Sequence, residues 1–179
     1  MNLCGKRVNL RELTLDDLEV VHSVANHPEV YRYQPFGPNT TEETLTYLRG
    51  VINRGRDSPR RDYTLAIVLR ATQELLGYAS LWITNPEFRQ AEIGFFLHPR
   101  HWGHGYTSDA ASLLVRHAFE ALHLHRVYAT ADPRNSASRR VLEKIGMVYE
   151  GRLRDVMVIH DGWRDSDVYS VLEPEWSVR

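Results

Sequence analysis

A chain of 179 residues, 42% hydrophobic and 25% charged, is long enough to bury one core, and it is expected to fold as a single domain over residues 1–179. Lys and Arg total 22 against 23 Asp and Glu, so the net charge of -1 argues against nucleic acid as a direct partner. The lone cysteine, Cys4, excludes an internal disulfide. No stretch is apolar for long enough to be a signal peptide or a membrane span, so no membrane partner and a cytoplasmic location are expected.

Alternation in KRVNLRE (6–12) predicts a first strand. TLDDLEVVHSVAN follows as a helix, with Thr14 at the N-cap and acids in its first turn. YRYQPFGPNT, rich in Pro, Gly and aromatics, is a loop, and TEETLTYLRGVINR opens like a second helix. DYTLAIVLR (62–70) and LLGYASLWI (75–83) are strands around the turn ATQE, and QAEIGFFLH (90–98) is a fourth strand. Residues 106–122 place Ala110, Leu113, Leu114, Ala118, Ala121 and Leu122 on one helical stripe. HRVYATAD (125–132) is a fifth strand. NSASRRVLEKIGM is a short helix capped by Asn135 and stopped at Gly146. MVYEGRLRDVMVI and GWRDSDVYSVL end the chain as strands around HDG. This order is too mixed for a doubly wound parallel sheet or a barrel. It predicts an α/β (mixed α+β) fold: a mixed sheet with helices on both faces.

The junction PRHWGHGY (99–106) between the fourth strand and the next helix carries Gly103, Gly105 and Arg100. A helix N-terminus presents unpaired N–H groups, and glycines let that backbone approach an anion closely. These are the parts of a pyrophosphate cradle, although a tight strand-to-helix turn needs the same glycines. A Walker loop is excluded, because no lysine follows Gly105. A dinucleotide fingerprint is excluded too, since a third glycine is missing and the loop follows the fourth strand rather than the first. His98, His101 and His104 are spaced by three, but they flank a proline and a glycine loop. No carboxylate or cysteine completes a ligand set, so no metal is expected.

In QAEIGFFL, alternation puts Glu92, Gly94 and Phe96 on one face and Ile93, Phe95 and Leu97 on the other. A carboxylate inside an apolar strand is costly unless paired or solvated, so Glu92 is either a catalytic base or half of a salt bridge.

RHWGHG has the form R-x-x-G-x-G. Together with AEIGFFLHPRHWGHGYTSDA, HRVYATADPRNSASRRVLEKIGM, EGRLRD, GWRDSDVYSVLEPEW and the opening VNLRELTLDD, in this order and spacing, it resembles the GNAT acetyltransferases, in particular the RimJ/RimL-type ribosomal-protein N-terminal acetyltransferases. The resemblance implies the GNAT fold, a mostly antiparallel mixed sheet whose fourth and fifth strands splay apart, with acetyl-CoA as co-substrate in the V. It implies pantetheine bonding by the backbone of Phe95, Phe96 and Leu97. It assigns the pyrophosphate to the loop from Arg100 through His101, Trp102, Gly103, His104, Gly105 and Tyr106 to Thr107. Asn135 would cap its helix and bond the pantetheine arm. Glu92 matches the family's strand-four base, acting through water. The frame N-x-x-A-x-x-x-Y, which supplies a tyrosine acid in many relatives, reads Asn135, Ser138 and Leu142 here, so the tyrosine is missing. Ser138 is then the natural donor to the departing sulfur, or simply a helix cap. Tyr31, Arg32, Tyr33 and Phe36 fall where the family builds its acceptor pocket, although core packing explains them as well. Trp163, Asp165 and Asp167 belong to the family's ending, structural or substrate-facing.

The activity so implied is N-acetylation, with a protein or peptide N-terminal α-amino group as the expected acceptor. At pH 7, deprotonating an α-amine of pKa about 8 costs about 1.4 kcal/mol, against about 4.6 for a lysine amine. A weakly placed base suffices for the first. The alternatives are a small amine such as a polyamine or aminoglycoside, another acyl-CoA such as succinyl-CoA, and a non-catalytic acyl-CoA-binding module. The arginines within residues 31–61 mildly disfavour a polycation, and Glu92, Asn135 and Ser138 argue against a module without catalysis. Relatives are monomers or homodimers, and either is expected.

Overall fold

The computed structural model describes residues 1–177. One sheet holds β1 (Asn2–Cys4), β2 (Val8–Glu12), β3 (Leu65–Leu69), β4 (Leu75–Asn85), β5 (Gln90–Leu97), β6 (Arg126–Ala131), β7 (Val148–Ile159) and β8 (Gly162–Leu172). Their spatial order is β1-β2-β3-β4-β5-β6-β8-β7. All neighbours are antiparallel except β5 and β6. The helices are α1 (Leu18–Ala25), α2 (Pro28–Tyr31), α3 (Thr41–Arg54), α4 (Tyr106–Glu120), α5 (Ser136–Lys144) and α6 (Glu173–Ser177). Among the described residues, no helix is long and apolar enough to cross a membrane.

The period-2 pattern of β3 divides the core. Leu65 and Ile67 face a cluster with Ala110 and Leu114 of α4 and Leu142 of α5. Ala66 and Val68 face the other cluster, with Val21 and Val24 of α1 and Leu48 and Val51 of α3. Helices therefore cover both faces, as the element order predicts. Each fully buried Leu or Val here contributes about 1.5–3 kcal/mol of transfer free energy.

Local signals explain the helix starts. Thr40 and Glu43 form a reciprocal capping box on α3 (Glu43 N–H to Thr40 Oγ1, 3.2 Å; Thr40 N–H to Glu43 Oε2, 2.7 Å). Gly146, at φ 87°, follows α5. Four details depart from the sequence expectation, one of them the short helix α6, which follows the strand expected to be the last element. The first strand begins at Val8, and a separate strand, β1, pairs with it through Leu3 and Leu10. Three residues are too few to show a period. The loop after α1 opens with the single-turn helix α2. Ala121 falls just past α4 and is exposed, whereas Ala111, Val115 and Phe119 on the helix are buried. The helix is covered by the sheet and also by Trp176 of α6, against Phe119, so its buried face is wider than one stripe.

The feature that makes a site is the parallel pair. β5 and β6 stay in register for only Gln90–Arg126, Ala91–Val127 and Glu92–Tyr128. Beyond that point β5 follows β4 as far as Leu97, and β6 follows β8 as far as Ala131. Each strand is held by its outer neighbour, so the two diverge and leave a wedge, the splay the resemblance implies.

Candidate active site

Glu92 is the last residue of β5 paired with β6 and so stands at the apex of the wedge. It lines a cavity of about 380 Å³ together with Tyr78, Trp82, Thr130, Ser138 and Arg164. Thr130 Oγ1 donates to its Oε1 at 3.1 Å. Among the described residues, no basic nitrogen lies within 4.0 Å of this carboxylate, so the salt-bridge reading of Glu92 is not realised. Burial pushes its pKa above the ordinary 4.5, partly opposed by hydrogen bonding from Thr130 and Tyr128 and by the charge of Arg164. The result is a carboxylate with more affinity for a proton than a solvated glutamate has.

The alternation of β5 is as predicted. Ile93 and Leu97 are buried in the α4 cluster, with Phe95 packed against it, while Phe96 packs with the α1–α3 cluster. Asn135 caps α5 by accepting from the Ser138 N–H at 3.1 Å. The cap therefore uses the Ser138 backbone, and among the described residues its hydroxyl makes no hydrogen bond. Leu142, in the position of the missing tyrosine, is 1% exposed and belongs to the core.

A second cavity, of about 590 Å³, lies beside the first and shares Gln34, Phe95, Phe96, Asn135 and Ser138 with it. Trp102, Gly103, Gly105, Thr107 and Ser108 form one wall, and Ser136, Arg140, Val141 and Lys144 of α5 form another. Gly103 (φ 80°) and Gly105 (φ 78°) are left-handed, a conformation that costs any residue with a Cβ about 1–2 kcal/mol. The loop is tied down from behind. Arg7 donates from Nη1 to the His104 carbonyl, and Asp109 accepts from the N–H groups of Arg7 (2.6 Å) and Val8 (3.0 Å).

The run of free N–H groups is displaced from the expected one. The His101 and Trp102 N–H groups are used within the turn, donating to His98 O (2.9 Å) and Pro99 O (3.0 Å). From Gly103 to Ser108 none donates elsewhere in the described chain. Trp102 Nε1 donates to Leu97 O at 3.0 Å, which occupies the last carbonyl of the expected pantetheine edge. Arg100 turns away from the cavity, its Nη2 on Glu74 at 3.0 Å and its Nε on His101 at 2.8 Å. His101, His104 and Tyr106 also lie outside the lining. The cations that do line it are Arg32, Arg134, Arg140 and Lys144. Arg134 is already held by Asp132 (2.7 Å) and Asp161. The sequence reading missed Arg140 and Lys144. Their i,i+4 spacing, which puts both on one face of α5, is the signal that could have found them.

The first cavity is roofed by the segment after α2 and the β7–β8 hairpin. His160 Nε2 lies 3.1 Å from Phe36 O, and the Tyr31 and His160 rings meet edge to face. Tyr33 borders the second cavity and Phe36 the first. In the chain's ending, Asp167 is buried and paired with Arg152 at 2.7 Å, Asp165 accepts from the Asp155 N–H, and Trp163 is exposed. The residue between them, Arg164, was overlooked. It is 5% exposed and lines the cavity with Glu92. The inward register it shares with Ser166 on β8 would have revealed it.

Known proteins carry the same architecture. The family model described as an acetyltransferase (GNAT) domain matches residues 7–148. The uncharacterized N-acetyltransferase YnaD of Bacillus subtilis is 30% identical over 99% of this chain and 100% of its own. The [ribosomal protein uS5]-alanine N-acetyltransferase of Escherichia coli is 26% identical over 59% of this chain and 55% of its own. Among solved structures, Mycobacterium smegmatis RimJ in complex with CoA-disulfide superposes with a TM-score of 0.86 at 23% identity, over 98% of this chain and 88% of that one. With the splayed parallel pair, the glycine loop and the capped α5 in place, the chain belongs to the GNAT acetyltransferase family and is an N-acyltransferase.

Proposed function

We propose that the chain works as one acetyl-CoA-dependent N-acetyltransferase domain whose acceptor is the α-amino group of a protein or peptide N-terminus. The observation that carries this reading is the position of Glu92, at the apex of a wedge bordered by two adjoining cavities. A base of raised pKa in that place meets the modest cost of deprotonating an α-amine. The name of the Escherichia coli relative, an alanine N-acetyltransferase, agrees with it. A polyamine acceptor is disfavoured by the buried cation Arg164 in the same cavity as Glu92.

Acetyl-CoA supplies an activated thioester, and the residues of the larger cavity fit a long ligand bearing anionic groups. The N–H groups of Gly103, Gly105, Thr107 and Ser108 and the positive end of α4 would face phosphate, while Arg140 and Lys144 add charge from α5. Phe95 and Phe96 lie on the open edge of β5 and carry the pantetheine arm with Asn135. Glu92, directly or through water, takes the proton lost by the attacking amine. The backbone N–H groups of opened β5 stabilise the thioester oxygen as it gains charge. The Ser138 hydroxyl donates to the departing sulfur. The RimJ relative's complex with CoA-disulfide supports placing coenzyme A in this fold.

Free-thiol release from acetyl-CoA is the test, with N-terminal peptides, lysine-side-chain peptides, polyamines and aminoglycosides as acceptors. Turnover confined to α-amines is the expected result. Turnover on small polycationic amines alone overturns the assignment.

A further inference from the structure

Arg164 carries a charge that the reaction above leaves unused. Its guanidinium donates to three neutral acceptors: Tyr33 O at 2.7 Å, Ser166 Oγ at 2.7 Å and Asp165 O at 3.2 Å. Among the described residues, no carboxylate oxygen lies within 4.0 Å of it. Other arginines in the chain behave differently. Arg11, Arg54, Arg60 and Arg152 each meet a carboxylate at 2.7 or 2.8 Å while being far more exposed. The acids whose fields reach Arg164 are Asp132 and Glu92, with Arg134 opposing them. Asp132 is spent on Arg134, which binds both its oxygens. Burying a guanidinium without a paired anion is costly, and a fork with N–H groups left over presents a defined shape for a carboxylate.

We propose that Arg164 is the acceptor-recognition residue, and that the acceptor carries a carboxylate seated on the Arg164 guanidinium while its amine faces Glu92. Both groups line the same cavity of about 380 Å³, which fits a residue-sized amine with an anionic group. Two sources offer this chemistry: an acidic side chain on the first residue of a peptide, or the carboxylate of a free amino acid. The inference rests on the N-acetyltransferase reading for the amine and on the cavity alone for the carboxylate. A purely mechanical role, in which Arg164 props the Tyr33 segment, predicts no such preference.

Matched acceptors decide between them. Peptides beginning with Glu or Gln form one pair, and alanine and alaninamide form another, each assayed by thiol release at saturating acetyl-CoA. The expected result is a kcat/KM about tenfold or more higher for the carboxylate member of one pair, expressed mainly in KM. The pair that shows it identifies the source. Arg164→Gln should erase the ratio and Arg164→Lys keep part of it, whereas loss of a prop lowers both members equally. Equal use of both members of each pair by the native enzyme overturns the proposal. So does an intact ratio in an Arg164→Gln variant that still binds acetyl-CoA. Calorimetry on the CoA-loaded protein with the N-acetylated forms of the same pairs reads the contact without chemistry. Carboxylate-selective binding there upholds Arg164 even where no amine is turned over, and binding without selectivity in both pairs overturns it.

Discussion

Replacing Glu92 with Gln is the sharpest perturbation of the proposed chemistry. The side chains are isosteric, and the carboxamide can still accept from Thr130, whose Oγ1 sits 3.1 Å from Glu92 Oε1. Only the proton acceptor is lost. General-base catalysis contributes about 10²–10⁴-fold, so kcat should fall by that factor, or about 2.7–5.4 kcal/mol in activation free energy. Thiol release followed against pH gives the assay. In the native enzyme the acid limb of kcat/KM should lie above the 4.5 of an ordinary glutamate, because burial raises this pKa. In the Gln variant that limb should vanish, and the deficit should shrink as alkaline pH deprotonates the amine in solution. Stability should move the other way. A carboxyl whose pKa is raised in the folded state destabilises the fold above that pKa, once it must be ionised. At neutral pH the Gln variant should therefore be no less stable, and the difference should fade as the pH falls to where the carboxyl is protonated in both states. An unchanged kcat, or survival of the limb that belongs to Glu92 as distinct from the one set by the amine itself, would refute the base assignment.

Four further outcomes follow from the geometry. Ser138→Ala should lower kcat about tenfold with little change in the KM for acetyl-CoA, and thermal unfolding should be nearly unmoved, because the α5 cap uses the Ser138 N–H and not its hydroxyl. Asn135→Ala removes that cap and should cost about 0.5–2 kcal/mol of stability, read by denaturant unfolding. Gly105→Ala must hold a Cβ at φ 78° with the Arg7 guanidinium 3.1 Å away, so it should cost about 1–2 kcal/mol and raise the KM for acetyl-CoA. The double variant Arg140→Ala/Lys144→Ala should weaken coenzyme A binding and flatten its dependence on salt, measured by calorimetry at two ionic strengths.

Much of the candidate site is legible in the amino-acid sequence. Elements with a strong period or a cap were read close to their observed limits: α3 begins at its capping box, and α5 runs from the Asn135 cap to the turn at Gly146. Glu92 stands out as a candidate because a carboxylate in an apolar strand violates the burial pattern and because it matches the family's strand-four base. What could not be read was where charges would be spent. Arg100 stands next to the glycine loop in sequence but pairs with Glu74, 26 positions earlier. Arg164 reaches the carbonyl of Tyr33, 131 positions away.

The amino-acid sequence by itself determined the order of the longer strands and helices, the face on which Glu92 lies, the glycine turn before α4 and the cap of α5. These depend on interactions within one or two turns of chain, which periodicity and residue type record directly. Only the tertiary structure decided how far β5 and β6 stay paired, which N–H groups of the loop are left free, and which cations face the cavities. Those outcomes depend on packing among β4, β5, β6 and β8 and on competition for a few carboxylates. The parallel register stops at Glu92 because the outer strands pull its two members apart, and no local pattern along β5 or β6 marks that point.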